Sequence, residues 1–207
     1  MLRLLLARHG QTDWNAQHRY QGHAPVPLNQ TGRKQAAALG RRLAREGIEA
    51  VYSSDLPRAW QTAQLIAKAN DVPLHAEPLL REMDFGEWQG RTHAEIHVHR
   101  AQQSLDTAPA QARYQEPLSF APAGGETLGQ LAERVSSALE TARRTQQGQT
   151  VLWVTHGGPL RTLLCLVLGL GLEKNGLFRT HTASVSELHV YPDRTLLALL
   201  NDTHHLG

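Results

Sequence analysis

One cysteine in 207 residues leaves no internal disulfide to form, so packing alone must hold the fold, as suits a reducing compartment. That residue, Cys165, lies in the apolar run Leu163–Leu168, where burial raises a thiol pKa and argues against a nucleophile. Aromatic residues make up only 5% of the chain, so the core must rest on Leu, Ala and Val. Net charge is equally scant: 21 Lys and Arg against 19 Asp and Glu leave +2, with twelve histidines in reserve. So small a bias gives no case for nucleic acid or an anionic membrane as partner. The run Leu160–Leu172 carries Arg161 and two glycines and falls short of the roughly 20 residues that span a bilayer. It predicts a buried helix. The start, Met1 to His9, holds too short an apolar stretch for a secretory signal. A cytoplasmic protein without a membrane anchor is expected.

What is present is an ordinary globular mixture, 41% apolar and 19% charged, in a length that suits one domain. No repeat or linker divides residues 1–207. Three β-rich apolar runs end alike: Leu2–Ala7 runs into Arg8 and His9, Ala50–Ser53 into Ser54 through Arg58, and Val151–Thr155 into His156-Gly157-Gly158-Pro159. Their continuous apolar character predicts strands buried on both faces. Between them lie helical patterns. One is expected from an N-cap at Thr31 to Gly47, with Ala36, Leu39 and Leu43 inward. Others begin near Pro57, after Gly124-Gly125, and at Pro159. Two further β-like runs, Ser184–Val190 and Thr195–Leu200, flank Pro192-Asp193 and are expected to pair. The alternation argues an α/β fold, a mostly parallel central sheet flanked by helices in three layers. Residues 91–123 are irregular apart from a short helix at 93–104.

In open α/β sheets ligands bind beyond the carboxyl ends of the strands. Three such ends carry His9, Arg58 and His156, and meeting at one edge they would form a site. Arg58 would stand in the first turn of a helix, where the macrodipole disfavours a cation; an anion shared between guanidinium and backbone N–H groups accounts for it. Arg8 supplies a second fork. The set suits a phosphate dianion. There is no Walker-type glycine loop and no carboxylate cluster for magnesium, so arginines must stabilise the charge. His93 and His97 share a helix spacing that could bind a metal, but no matching acid follows, and with His99 they are read as solvated surface. No metal and no cofactor are expected. None of these features is specific alone, since a histidine after a strand is most often only a satisfied polar residue.

The segment Leu6-Ala7-Arg8-His9-Gly10-Gln11-Thr12-Asp13-Trp14-Asn15 resembles the histidine phosphatase superfamily, also called phosphoglycerate mutase-like. The likeness continues in order through Tyr20–His23, Ser53–Ala63, Leu80–Gly90, Gly124–Thr127, Val154–Gly158 and Asn201–Leu206. It implies the mutase-like fold and a phosphomonoester hydrolase acting on a small phosphorylated metabolite. In that scheme neutral His9 attacks phosphorus, and Arg8, Arg58 and His156 hold the equatorial oxygens. Glu82 protonates the leaving oxygen and then activates water; its neutral form, needed first, is favoured by a neighbouring dianion. Asn15, Gln21, the Gly22 amide and Gly157 would complete the phosphate contacts. Two positions depart from many relatives: Pro25 replaces an aspartate, and Thr182 stands where an asparagine is common. Both bear on substrate fit rather than on the chemistry.

Two other functions follow from the same residues. A phosphoglycerate mutase would use the same phosphohistidine, but such mutases carry a longer insert with an aromatic-arginine-arginine run. The stretch from Gly90 to Gly124 is short and has none. A non-catalytic phospholigand-binding protein would have lost His9 or Glu82, and both are present. The segment at about 91–123 is expected to cap the substrate, with Trp88, Tyr114 and Phe120 as pocket walls. A β-run left at the sheet edge could pair with a second copy as a homodimer.

Overall fold

The structure, a computed structural model, describes residues 1–102 and 118–207; side chains at positions 97 and 99–102 lie outside that description. Six strands form one sheet: β1 (Leu2–Arg8), β2 (Ala50–Ser53), β3 (Leu74–Ala76), β4 (Thr150–Thr155), β5 (Val185–Val190) and β6 (Thr195–Asp202). Their order is β3-β2-β4-β1-β5-β6. The ladders β1–β4, β4–β2 and β2–β3 are parallel, whereas β5 runs antiparallel to β1 and β6 antiparallel to β5. The sheet is therefore mostly parallel, and the expected hairpin is β5–β6. Strand β3 was not anticipated, since three residues are too few to show a period. Strand β6 is an edge, with Leu196 and Leu200 exposed.

Alternation along β1 shows why its apolar run is continuous. Leu2, Leu4 and Leu6 join one core, while Leu5 and Ala7 join another on the opposite face. The first core is closed by α5 (Leu128–Thr145) and α6 (Gly157–Val167), through Leu131, Val135, Leu160 and Leu163. The second is closed by α2 (Gln30–Leu43) and α3 (Pro57–Asn70), through Leu39, Leu43, Ala63 and Ile66. Helices thus cover both faces. The short α1 (Asp13–Ala16) follows β1, and α4 (His93–Gln102) adds Ile96 to the first core.

Three helix boundaries differ from expectation. Asn29, not Thr31, caps α2: its side chain accepts the Gly32 N–H at 2.8 Å, and asparagine is at least as good an N-cap as threonine. That helix stops at Leu43, so Gly47 with φ 67° belongs to the following loop. Helix α6 begins at Gly157, capped by His156, and Pro159 falls within its first turn, where a missing N–H costs nothing. The other two starts agree: Pro57 opens α3, and Thr127 with Gln130 forms a capping box on α5. Beyond Gln102 the predicted helix at 93–104 passes outside the described residues. Among the described residues no helix is long and apolar enough to cross a membrane.

Candidate active site

The carboxyl ends of β1, β4 and β2 are tied together one residue past each strand. The His9 N–H donates to the Thr155 carbonyl at 2.9 Å, and the Ser54 N–H to the Val154 carbonyl at 3.0 Å. This brings His9 and His156 ring to ring, with centroids 5.1 Å apart. Both are buried.

The partner of the His9 ring fixes its tautomer, and that of the His156 ring is a hydroxyl. His9 Nδ1 lies 2.7 Å from the Gly10 carbonyl. A carbonyl can only accept, so Nδ1 carries the proton and the Nε2 lone pair is available. Gly10 can stand there because its backbone approaches Gly32 too closely for a side chain; a Cβ would meet the Gly32 carbonyl at 2.4 Å. His156 Nε2 lies 2.9 Å from Ser54 Oγ, which also accepts the Leu56 N–H at 3.3 Å. The Ser54 hydroxyl can accept that N–H and still donate its own proton to Nε2, and in that arrangement the His156 proton is on Nδ1. Burial, reinforced by the Arg58 and Arg8 cations, holds His9 well below the usual histidine range. The same causes, burial first, hold His156 down. Both rings are neutral at pH 7.

Arg8, Arg58, Arg19 and Arg161 surround a cleft of about 170 Å3 that also contains His9, Asn15, Gln21, Glu82 and Gly157. Arg58 is fully buried and donates to the Gly22 carbonyl at 2.7 Å and the Ala24 carbonyl at 3.1 Å. Arg8 donates to the Thr180 carbonyl at 2.6 Å. Burial pushes both guanidinium groups down to about 10. They stay charged at neutral pH and are costly to hold so close together. Among the buried nitrogens without a hydrogen-bond partner in the described residues are Arg8 Nε, Arg58 Nε, Arg161 Nε and His156 Nδ1, with His205 Nδ1 another, away from this site. The three guanidinium nitrogens belong to residues that line this cleft, His156 stands against His9, and buried donors are ordinarily satisfied.

Asn15 and Gln21 line the cleft as expected. Asn15 Oδ1 accepts from the Thr12 N–H and hydroxyl, and a Thr12 hydrogen bond likewise occupies Gln21 Oε1, so their amide NH2 groups are what they offer an anion. Gly22 contributes its carbonyl to the support of Arg58. Gly22 itself is not among the residues that line the cleft. His156 is not among the cleft-lining residues either, and its ring lies against that of His9. Pro25 is exposed beside the Ala24 carbonyl that Arg58 uses.

Glu82 is placed from both sides. Its oxygens accept the Gly158 N–H at 3.0 and 3.2 Å and the Met83 N–H at 2.9 Å. A Cβ on Gly158 would fall 2.0 Å from Glu82 Oε1, so only glycine admits the carboxylate there. Arg134 clamps the backbone beneath by donating to the carbonyls of Leu79, Arg81 and Glu82 at 2.6 to 2.9 Å, while pairing with Glu126. The sequence pointed to neither Arg134, Ser54, Arg19 nor Arg161. Only Arg161 left a signal, a charge interrupting an apolar helix one turn past Gly157. His93 is exposed on α4; the His97 and His99 side chains lie outside the described residues. Among the described residues no three His, Cys, Asp or Glu side chains group as metal ligands.

The sequence profile of the histidine phosphatase superfamily (branch 1) matches residues 4–203. The chain belongs to that family. It is 35% identical over 209 residues to phosphoserine phosphatase 1 of Hydrogenobacter thermophilus, covering 100% of this chain and 95% of that one. It is 37% identical to the metal-independent phosphoserine phosphatase of Arabidopsis thaliana, over 99% of this chain and 83% of the relative. Among solved structures, Bacillus stearothermophilus YhfR matches with a TM-score of 0.90 at 31% identity, covering 100% of both chains. The resemblance read from the ordered motifs therefore holds over nearly the whole length, and so does the fold it implied.

Proposed function

We propose that the chain is a phosphomonoester hydrolase that works through a phosphohistidine on His9. The observation that carries this reading is the set of four unpartnered buried donors around a neutral histidine with a free Nε2 lone pair. A bound phosphate dianion would satisfy those donors and offset the cost of holding Arg8 and Arg58 together.

The reaction follows in two balanced steps. His9 Nε2 attacks phosphorus; the N–P bond forms as the ester P–O bond breaks, and the leaving alkoxide takes the Glu82 proton. Water then attacks, passing a proton back to Glu82 as the N–P bond breaks and inorganic phosphate forms. His156 Nδ1–H, Arg8 and Arg58 bind the phosphoryl oxygens throughout, with no step assigned to a metal or cofactor. We read the whole chain as one catalytic unit, with the segment around 91–123 as its substrate cap. The relatives make phosphoserine the first natural ester to try.

The test is turnover of p-nitrophenyl phosphate with EDTA present, followed by trapping of the enzyme. Continued turnover and an acid-labile, base-stable phosphoenzyme that His9→Ala lacks are expected. Activity lost to chelation and restored by zinc, or labelling that survives His9→Ala, would defeat the proposal. Release of inorganic phosphate rather than an isomer from 3-phosphoglycerate separates hydrolase from mutase.

A further inference from the structure

The phosphate cleft opens into a second, larger space. Tyr20, Phe85 and Arg161 line both, so the two meet along that seam. The second cavity measures about 250 Å3, against about 170 Å3 for the cleft. Trp88, Phe120 and Leu131 supply much of its remaining wall.

The chain has only four Trp, four Tyr and three Phe, yet four of these aromatics line this one cavity. They are coupled to one another. Tyr20 meets Phe85 edge-on at 5.0 Å and Trp88 at 5.8 Å, and Trp88 lies 5.5 Å from Phe120. Protein interiors are close-packed with few voids, so an aromatic-walled space beside a charged cleft has the form of a ligand site.

The polar side chains of the lining are Arg161, Glu173 and Asn175, beside the Tyr20 hydroxyl and backbone groups. Arg161 stands at the seam, facing the phosphate side. Glu173 and Asn175 line this cavity and not the phosphate cleft. Glu173 is exposed, with its carboxylate turned over Gly171, so solvent screens its charge. A compact zwitterion in this cavity would set its carboxylate against aromatic and leucine side chains, a costly desolvation. It would also leave the space largely unfilled, since a water takes roughly 30 Å3 and serine only a few times that.

Resting on the hydrolase reading above, we propose that the alcohol half of the substrate is a bulky apolar group bearing a ring. The preferred esters are aryl-alkyl phosphates rather than phosphoserine or phosphoglycerate. The phosphate binds at Arg8, Arg58 and His156, and the ring packs in offset or edge-on contact with Trp88 and Phe120.

The experiment compares 3-phenylpropyl phosphate with n-propyl phosphate and phosphoserine on the full-length protein. The two alkyl esters release alkoxides of the same kind, so their difference reports the ring alone. The phenylpropyl ester should show kcat/KM about tenfold or more above the propyl ester, and above phosphoserine as well. Phe120→Ala, at a half-exposed position, should pull the phenylpropyl-to-propyl ratio towards one. Equal kcat/KM for the two alkyl esters, or phosphoserine turned over tenfold better than the phenylpropyl ester, overturns this inference and leaves the hydrolase intact. If no ester is hydrolysed and no phosphohistidine forms, both readings fall together.

Discussion

The two halves of the site are built by opposite rules. The phosphate half is charged, small and fixed by backbone: His9 by the Gly10 carbonyl, Arg58 by two loop carbonyls, Glu82 by two N–H donors. The alcohol half is larger and walled in good part by aromatic side chains packed on one another. A charge-developing transition state needs donors that do not move, whereas an apolar pocket needs only volume and contact. Substitutions in the first half should therefore lower turnover of every ester alike. Those in the second should change which ester is favoured.

The largest effect expected is at His9. His9→Ala should lower kcat by roughly ten-thousand-fold or more for small and bulky esters alike, measured by steady-state assay. A loss confined to one ester would break the division between the halves. Glu82→Gln should cost about a hundred- to ten-thousand-fold, most for alkyl esters, whose poor leaving groups need the proton. With p-nitrophenyl phosphate the phosphoenzyme should instead accumulate, because water then lacks its base.

Ser54→Ala tests the tautomer of His156. It should lower kcat about tenfold while KM for bulky and small esters changes equally, and Ser54→Thr should restore most of the loss. An unchanged kcat would show that Ser54 does not set the ring. A smaller effect is thermal. If bound anion relieves the Arg8–Arg58 strain, vanadate at about a hundred times its Kd should add about 2.7 kcal/mol, a rise of roughly 5–10 °C in Tm for a chain this size. Arg58→Ala should lose most of that rise, and Phe120→Ala should keep it.

The smallest effect concerns pH. His9 and His156 are neutral and buried when folded, with pKa values held below the ordinary 6.5. As pH falls below 6.5 the unfolded chain binds protons that the folded chain refuses, so stability must drop. Each ring should cost about 1.4 kcal/mol per pH unit in that window, until its folded pKa is reached. Urea unfolding at pH 7.5 and 5.5 measures this, and His156→Asn should flatten the slope. For activity, the same shifts predict that any acid limb near 6.5 does not arise from His9.

Much of the phosphate half was legible before the structure, and for a physical reason. A strand buried on both faces is a continuous apolar run, and the residues just past its end must lie at one sheet edge, so His9, Arg58 and His156 could be placed by strand ends alone. Glu82 could not; it follows a three-residue 3-10 turn, and only the family likeness marked it. Local signals fixed the starts of α3 and α5 but misplaced those of α2 and α6, where competing cap residues lie within two positions of each other. The supports were hidden because Ser54, Arg134 and Thr180 act across more than fifty residues of chain. The cavity was partly visible: Trp88 and Phe120 do line it, while Tyr20, Phe85 and Leu172 share no period that would have joined them. Tyr114, also expected there, lies outside the described residues.

The account turns on where the phosphoryl group rests between its two bond-making steps. Rapid quench of the Glu82→Gln protein with p-nitrophenyl phosphate, then digestion at alkaline pH and fragment mass analysis, locates it directly. The account predicts phosphate on His9, at Nε2, in near-stoichiometric amount. Phosphate on His156, on a serine or on Cys165, or free phosphate released with no labelled residue at any time, would contradict it.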